Sequence, residues 1–175
     1  QGRGRAWCGA AQALPGTRIG KVRRSPHAHA KIISVDATKA LALKGVKAVV
    51  TAQDFPDIAS EEAFVGEGPM NFRDLSRNVM ARDKVLYHGH AVAAVAATTS
   101  EIADAALALI EVKYEVLPFV IDVEDAMKDD APVLHDDIFT TGVEPKPTKA
   151  SNVPQRVQFA LGDVVPGFKE ADLIA

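Results

Sequence analysis

Residues 91–118 read AVAAVAATTSEIADAALALIEVKYEVLP, and the changes of period along this stretch decide the fold. Ala91 to Ala97 is apolar on both faces of a pleat, the pattern of a strand that runs through the centre of a sheet. Thr98 followed by Glu101 makes a capping-box pattern, in which a hydroxyl and a carboxylate satisfy free amides at a helix start. Ile102, Ala106 and Ile110, with Ala103 and Leu107, then repeat at helical spacing as one apolar stripe. Val112, Tyr114 and Val116 alternate with Lys113 and Glu115, which predicts a strand with one wet face. That strand has to stop near Leu117-Pro118, because proline restricts the residue before it and donates no hydrogen bond.

Towards the N-terminus, Val85 to Tyr87 reads as a strand paired with Ala91 to Ala97, with Gly89 at the bend between them. Ile19 to Arg24 and Ala30 to Asp36 read as strands separated by Ser25-Pro26, where the proline marks an edge or a bulge. Asp36 caps a short helix through Leu43, Lys44-Gly45 supplies a cation and a left-handed stop, and Val46 to Thr51 follows as a buried strand. From Ala52 to Arg77 the chain turns polar, and Asp54-Phe55-Pro56-Asp57, Gly66, Gly68 and Pro69 interrupt every period. This is an excursion longer than an ordinary loop.

Towards the C-terminus, Asp122 caps a short helix to about Lys128. An extended surface crossing follows, with only Val133-Leu134 tucked in. Strand character resumes at Val157 to Leu161, Gly162-Asp163 starts another short helix, and Asp172 to Ala175 resembles the first half of a strand. Residues 1–17 show no apolar period and read as an arm. The elements lack the regular strand-helix alternation of a doubly wound sheet, so the expected class is α+β: a mixed sheet with a few packed helices.

With 175 residues, 47% of them hydrophobic and 25% charged, the chain can bury one core and carry an arm. Its 20 Lys and Arg against 23 Asp and Glu leave a net charge of -3 and no basic block, which argues against nucleic acid. The longest apolar run, Ala91 to Ala97, is far short of the roughly 20 residues that cross a bilayer, so a soluble chain away from membranes is expected. Cys8, the single cysteine, cannot form an internal disulfide or hold a cluster or zinc alone. This suits a reducing cytoplasm.

The sharpest constellation is a pair of His-x-His motifs, His27-Ala28-His29 and His88-Gly89-His90, since strand residues two apart share a face and could share a metal. Pro26 and Gly89 disturb that geometry, and no carboxylate or thiolate completes a ligand set. A stand-alone metal- or ligand-binding module using these four histidines stays as the rival reading. Asp122, Glu124, Asp125, Asp129, Asp130, Asp136 and Asp137 lack the rhythm of a calcium loop and read as solvated caps. Cys8 has no base within reach by sequence and reads as a passive thiol. No Gly-x-Ser-x-Gly elbow or phosphate loop occurs. No catalytic or metal-binding residue is therefore assigned.

Arg24-Ser25-Pro26-His27-Ala28-His29-Ala30-Lys31-Ile32 resembles the R-S-P-x-A-H-A-x-I segment of molybdenum hydroxylase large subunits, the xanthine dehydrogenase and aldehyde oxidase family. In the same order, Leu43 to Asp54 is similar to that family's L-x-G-V-x-A-V-x-T-A-x-D segment. Ala81 to Val85, Gly89, Val92 to Ala97, Val112 to Pro118, Gly162-Asp163-Val164 and Phe168 to Asp172 continue the likeness. It runs from about Leu14 to the end. It implies an arm over 1–17, a hammerhead domain over 18–139, and over 140–175 a linker with the start of the molybdopterin-binding domain.

The resemblance implies oxidation of an aldehyde, a purine or an aromatic heterocycle, with water-derived oxygen, at a molybdenum-molybdopterin centre. Iron-sulfur (2Fe-2S) and FAD groups would sit on other domains or subunits, and this segment would pack on the molybdopterin-binding remainder and be inert alone. Arg5-Ala6-Trp7-Cys8-Gly9-Ala10 departs from the family, whose members commonly show an aromatic followed by acidic residues there. His90 stands where relatives often carry Gln, which makes Gly89 and His90 the candidates for a place beside the cofactor or substrate channel.

Overall fold

The structure, a computed structural model, describes residues 14–66 and 68–174. Cys8 and most of the arm expected over 1–17 lie outside the described residues. The chain divides into two compact units, residues 1–118 and 119–175.

The first unit holds β1 (Ile19–Arg24), β2 (Ala30–Asp36), α1 (Thr38–Ala42), β3 (Val46–Thr51), β4 (Glu62–Val65), β5 (Gly68–Asn71), α2 (Phe72–Val79), β6 (Lys84–Val85), β7 (Ala91–Ala97), α3 (Ser100–Leu109) and β8 (Glu111–Val116). A single 3-10 turn, Ala52–Asp54, follows β3. β1, β7 and β3 form one antiparallel sheet with β7 in the middle, where Val95 faces both Lys21 and Val49. β6, β2 and β8 form a second antiparallel sheet, and β4-β5 is a separate hairpin. The α+β class is as expected from the periods of 91–118.

Alanine is what lets α3 lie close on β7. Ala93 and Ala97 on the strand and Ala103 and Ala106 on the helix are all fully buried, and Ile110 closes the end of the same core. A second cluster of Ala30, Ala81, Val85 and Val92 packs under the other sheet, and Val35 and Val112 touch both clusters. The central position expected for Ala91–Ala97 follows from this arrangement.

Four local expectations are corrected. Thr99, not Thr98, caps α3, accepting the Ile102 amide at 3.3 Å. The Thr98 amide instead donates to the Gly45 carbonyl at 2.9 Å and ties β7 to the left-handed turn at Gly45, whose φ is +99°. Val85 pairs with Ala30 on β2 and not with β7, because the turn before β7 sends the two strands into different sheets. β3 is a sheet edge, so Lys47 and Ala48 are exposed where a buried strand was expected. The excursion from Ala52 contains the β4-β5 hairpin and α2, whose N-cap Asn71 accepts the Arg73 and Asp74 amides at 3.1 and 3.4 Å.

The second unit has α4 (Val123–Ala126), capped by Asp122, and α5 (Val164–Glu170), capped by Asp163. Asn152 braces the crossing between them: its amide donates to the Ala126 and Pro132 carbonyls at 3.2 and 2.9 Å and its oxygen accepts the Leu134 amide at 3.0 Å. Val133 and Leu134 are half-buried, and Thr140 is the one buried residue among the described residues of this unit. The strands expected at Val157–Leu161 and over 172–175 are absent from 157–161 and from 172–174. A strand needs a neighbour to bond to, and the unit presents none there.

Candidate functional site

Two segments 65 residues apart close on each other at the open end of β1 and β7. The Ser25 amide donates to the His90 carbonyl at 2.9 Å, the Gly89 amide to the Ser25 carbonyl at 2.9 Å, and the Arg24 guanidinium to the Gly89 carbonyl at 2.9 Å. A register shift between Arg23 and Arg24 turns β1 into this contact, and Gly89 supplies the positive φ of +84° that the opposing turn needs.

His90 is fully buried behind the turn. Its Nδ1 accepts the Leu86 amide at 3.2 Å, so Nε2 carries the proton and donates to the Arg77 carbonyl at 2.8 Å. The ring stacks on Tyr87 at a centroid distance of 4.3 Å and 19° between planes, and the Tyr87 hydroxyl donates to the Asn78 carbonyl at 2.7 Å. Arg77 and Asn78 lie in the last turn of α2, where helix carbonyls have no partner of their own. His90 and Tyr87 thus finish the helix and anchor the excursion. Burial pushes the His90 imidazole below its ordinary value, against the opposing pull of its bonds to the Arg77 and Asn78 backbone, so it is held neutral.

The other histidines go elsewhere. His27 meets Tyr114 edge to face at 5.0 Å, His29 is buried with Nδ1 donating to the Pro118 carbonyl at 2.7 Å, and His88 is exposed. The His29 Nε2 is buried without a hydrogen-bond partner, and burial pushes the Tyr114 phenol up against the opposing pull of the Ser25 hydroxyl and the Arg23 charge. Among the described residues no group of three or more His, Cys, Asp or Glu is placed to hold a metal. Of the acidic cluster, Asp122 caps α4 and Asp125 pairs with Lys128 at 2.6 Å.

Sequence reasoning missed one feature. Ala52, Phe55, Ile58, Phe72, Leu75 and Val79 line an apolar groove of about 230 Å³, and Arg82 holds its rim by donating to the Phe55 and Pro56 carbonyls at 2.9 and 3.2 Å. Its signal was present: Phe72, Leu75 and Val79 stand at helical spacing, but the glycines and prolines before them masked the period.

Residues 4–118 match the family described as "Aldehyde oxidase and xanthine dehydrogenase, a/b hammerhead domain", and the chain belongs to that family. It is 38% identical over 162 residues to a probable xanthine dehydrogenase subunit of Bacillus subtilis, covering 93% of this chain and 19% of that one. Quinoline 2-oxidoreductase from Pseudomonas putida 86 superposes with a TM-score of 0.70 at 29% identity, over 93% of this chain and 19% of that one. CO dehydrogenase from Oligotropha carboxidovorans superposes at 0.59 with 39% identity, over 74% of this chain and 15% of that one. The chain therefore spans less than a fifth of the length of these proteins. No helix among the described residues is long and apolar enough to cross a membrane.

Proposed function

We propose that this chain is the hammerhead segment of a molybdenum hydroxylase large subunit, which packs against a molybdopterin-binding remainder and is inert by itself. The observation that carries the reading is the closure of Arg24-Ser25 on Gly89-His90. It makes one structural unit of two motifs that separately resemble the family, inside a region that matches the hammerhead profile. The whole enzyme is then an oxidoreductase acting on an aldehyde, a purine or an aromatic heterocycle. Its 2Fe-2S and FAD groups are carried by other domains or subunits, and its place is the cytoplasm.

The described residues of this chain offer the metal of that group no ligand set. Both His90 nitrogens are committed to backbone atoms. Gly89 and His90 enter the proposal as a turn whose backbone lies at the cofactor-facing edge, with His90 positioning it from behind. Residues 140–175 enter as the linker and the start of the molybdopterin-binding part. The test is to express the complete reading frame that contains this chain and measure molybdenum and pterin content. About one molybdenum per subunit supports the reading, and a purified subunit free of both overturns it.

A further inference from the structure

The chain leaves the sheets after Ala52 and returns to them at Ala81, and both points are fixed. Ala52 is buried inside a capping box in which the Thr51 amide donates to the Asp54 carboxylate at 2.7 Å. Ala81 is buried and its amide donates to the Ala91 carbonyl at 2.8 Å. Arg82 draws the two ends together through the Phe55 and Pro56 carbonyls. Between these points β4 and β5 pair with each other, and Asn71 caps α2 and reaches back to Ser60 at 2.9 Å. Among the described residues of 53–80 none is buried, and neither core cluster draws a member from them. A two-stranded hairpin and an eight-residue helix are marginal alone, so this stretch opens at less cost than the sheets.

The clasp on α2 is polar and sits at its last turn, where the Tyr87 hydroxyl holds the Asn78 carbonyl and His90 Nε2 the Arg77 carbonyl. It works in one protonation state. The Leu86 amide can only donate, so Nδ1 has to accept, and a second proton on the ring sets donor against donor at 3.2 Å. We propose that α2 and the described residues leading into it from Gln53 are an acid-released flap, which opens from a core that stays folded when His90 takes up that proton. The ionisable groups on the elements around the ring are Arg73, Asp74 and Arg77 on α2, Arg82 and Asp83 after it, Tyr87 and His88 on its own turn, and Arg24 at the end of β1. Burial is the largest cause that holds the ring below its ordinary value, opposed by the Arg77 and Asn78 backbone, and none of these charges contributes. Opening relieves the burial, so the open form binds the proton near the ordinary value of about 6.5. Opening is therefore favoured as pH falls from there through the closed-state value, by up to about tenfold per pH unit. The device needs no partner, so its test does not depend on the hydroxylase reading.

The test is hydrogen exchange of the 175-residue chain at about pH 7 and about pH 5, each amide's rate being divided by that of an unstructured peptide at the same pH. The expected result is a fall of at least about tenfold in the protection of 76–80 at the lower pH, while 93–97 and 103–109 keep theirs. His90→Gln should abolish that fall and leave α2 protected, because a neutral amide can accept from Leu86 and donate to Arg77. Tyr87→Phe removes the other half of the clasp at an exposed side chain, and should open the flap about fivefold more at both pH values with the acid fall intact. An equal fall in 93–97 would mean that the domain unfolds as a whole, and overturns the flap. A fall that survives His90→Gln, or no fall in the unaltered chain, overturns the part given to His90 and the proposal with it.

Discussion

The two compact units differ in where their apolar side chains go. In 1–118 the apolar periods meet inside the chain: Ala93 and Ala97 of β7 close on Ala103 and Ala106 of α3, and Ile110 caps the layer. All the buried hydrophobic residues among the described ones lie in this unit. In 119–174 similar periods remain exposed, and what order there is comes from polar braces: Asp122, Asn152, and Thr140, whose hydroxyl donates to the Val153 carbonyl at 2.7 Å. A pattern of the right period is enough to form an element only where a second face lies within reach, since burial supplies most of the stability of short helices and strands.

The sharpest way to test this contrast is a large-to-small change in the closed core. Ile110→Ala, at a residue 2% exposed, should destabilise the first unit by about 4 kcal/mol in urea unfolding, since the cavity cannot collapse onto a strand and helix already in contact. If the loss is under about 1 kcal/mol, the core is not the closed one described. His90→Ala should cost about 3 kcal/mol, because the Leu86 amide and the Arg77 carbonyl lose their partner in a buried site.

The same residue sets a pH dependence. Its imidazole is depressed in the folded state, so the unfolded chain binds the extra proton first. Stability is complete above the ordinary imidazole value of about 6.5 and falls as pH drops from there through the folded value. His90→Gln should flatten that acid arm, as a neutral amide can both accept from Leu86 and donate to Arg77. Unfolding midpoints between about pH 7 and pH 5 decide it, and an unchanged slope in the variant would place the titration elsewhere.

Gly45→Ala should cost about 2 kcal/mol. A Cβ there would stand 2.6 Å from Ile102 Cδ1 and 2.9 Å from Thr98 Oγ1, on a backbone at φ +99° that side chains seldom adopt. Smaller again are the helix caps, and they compare the units directly. Thr99→Ala should lower the stability of the first unit by about 1 kcal/mol, whereas Asp122→Ala should leave that transition in place and only reduce helicity at α4. A shared shift would mean that the units unfold together. The least effect is expected of Phe159→Ser in the 175-residue chain, within about 0.5 kcal/mol of no change at a residue 93% exposed.

Much of this molecule was legible in residue order. The span of β2, the placement of β7 at the centre of its sheet, the stripe of α3 and the end of β8 before Pro118 follow from local periods and proline chemistry, which depend only on near neighbours. So do the cap at Asp122 and the turns at Gly45 and Gly89. The likeness to the hammerhead family was readable in the same way, from spaced motifs.

Tertiary structure alone decided the rest. Which strand takes Val85, which threonine caps α3, and where α2 forms amid glycines and prolines are outcomes of competition between distant partners. The histidine site shows the same limit. Sequence placed His27, His29, His88 and His90 in two similar motifs, and the fold gave each ring different surroundings, burying His90 as a neutral brace between α2 and the turn before β7. Spacing along a chain determines which side chains share a local face; only the closing of the chain determines which faces find each other, and what is left open for a partner.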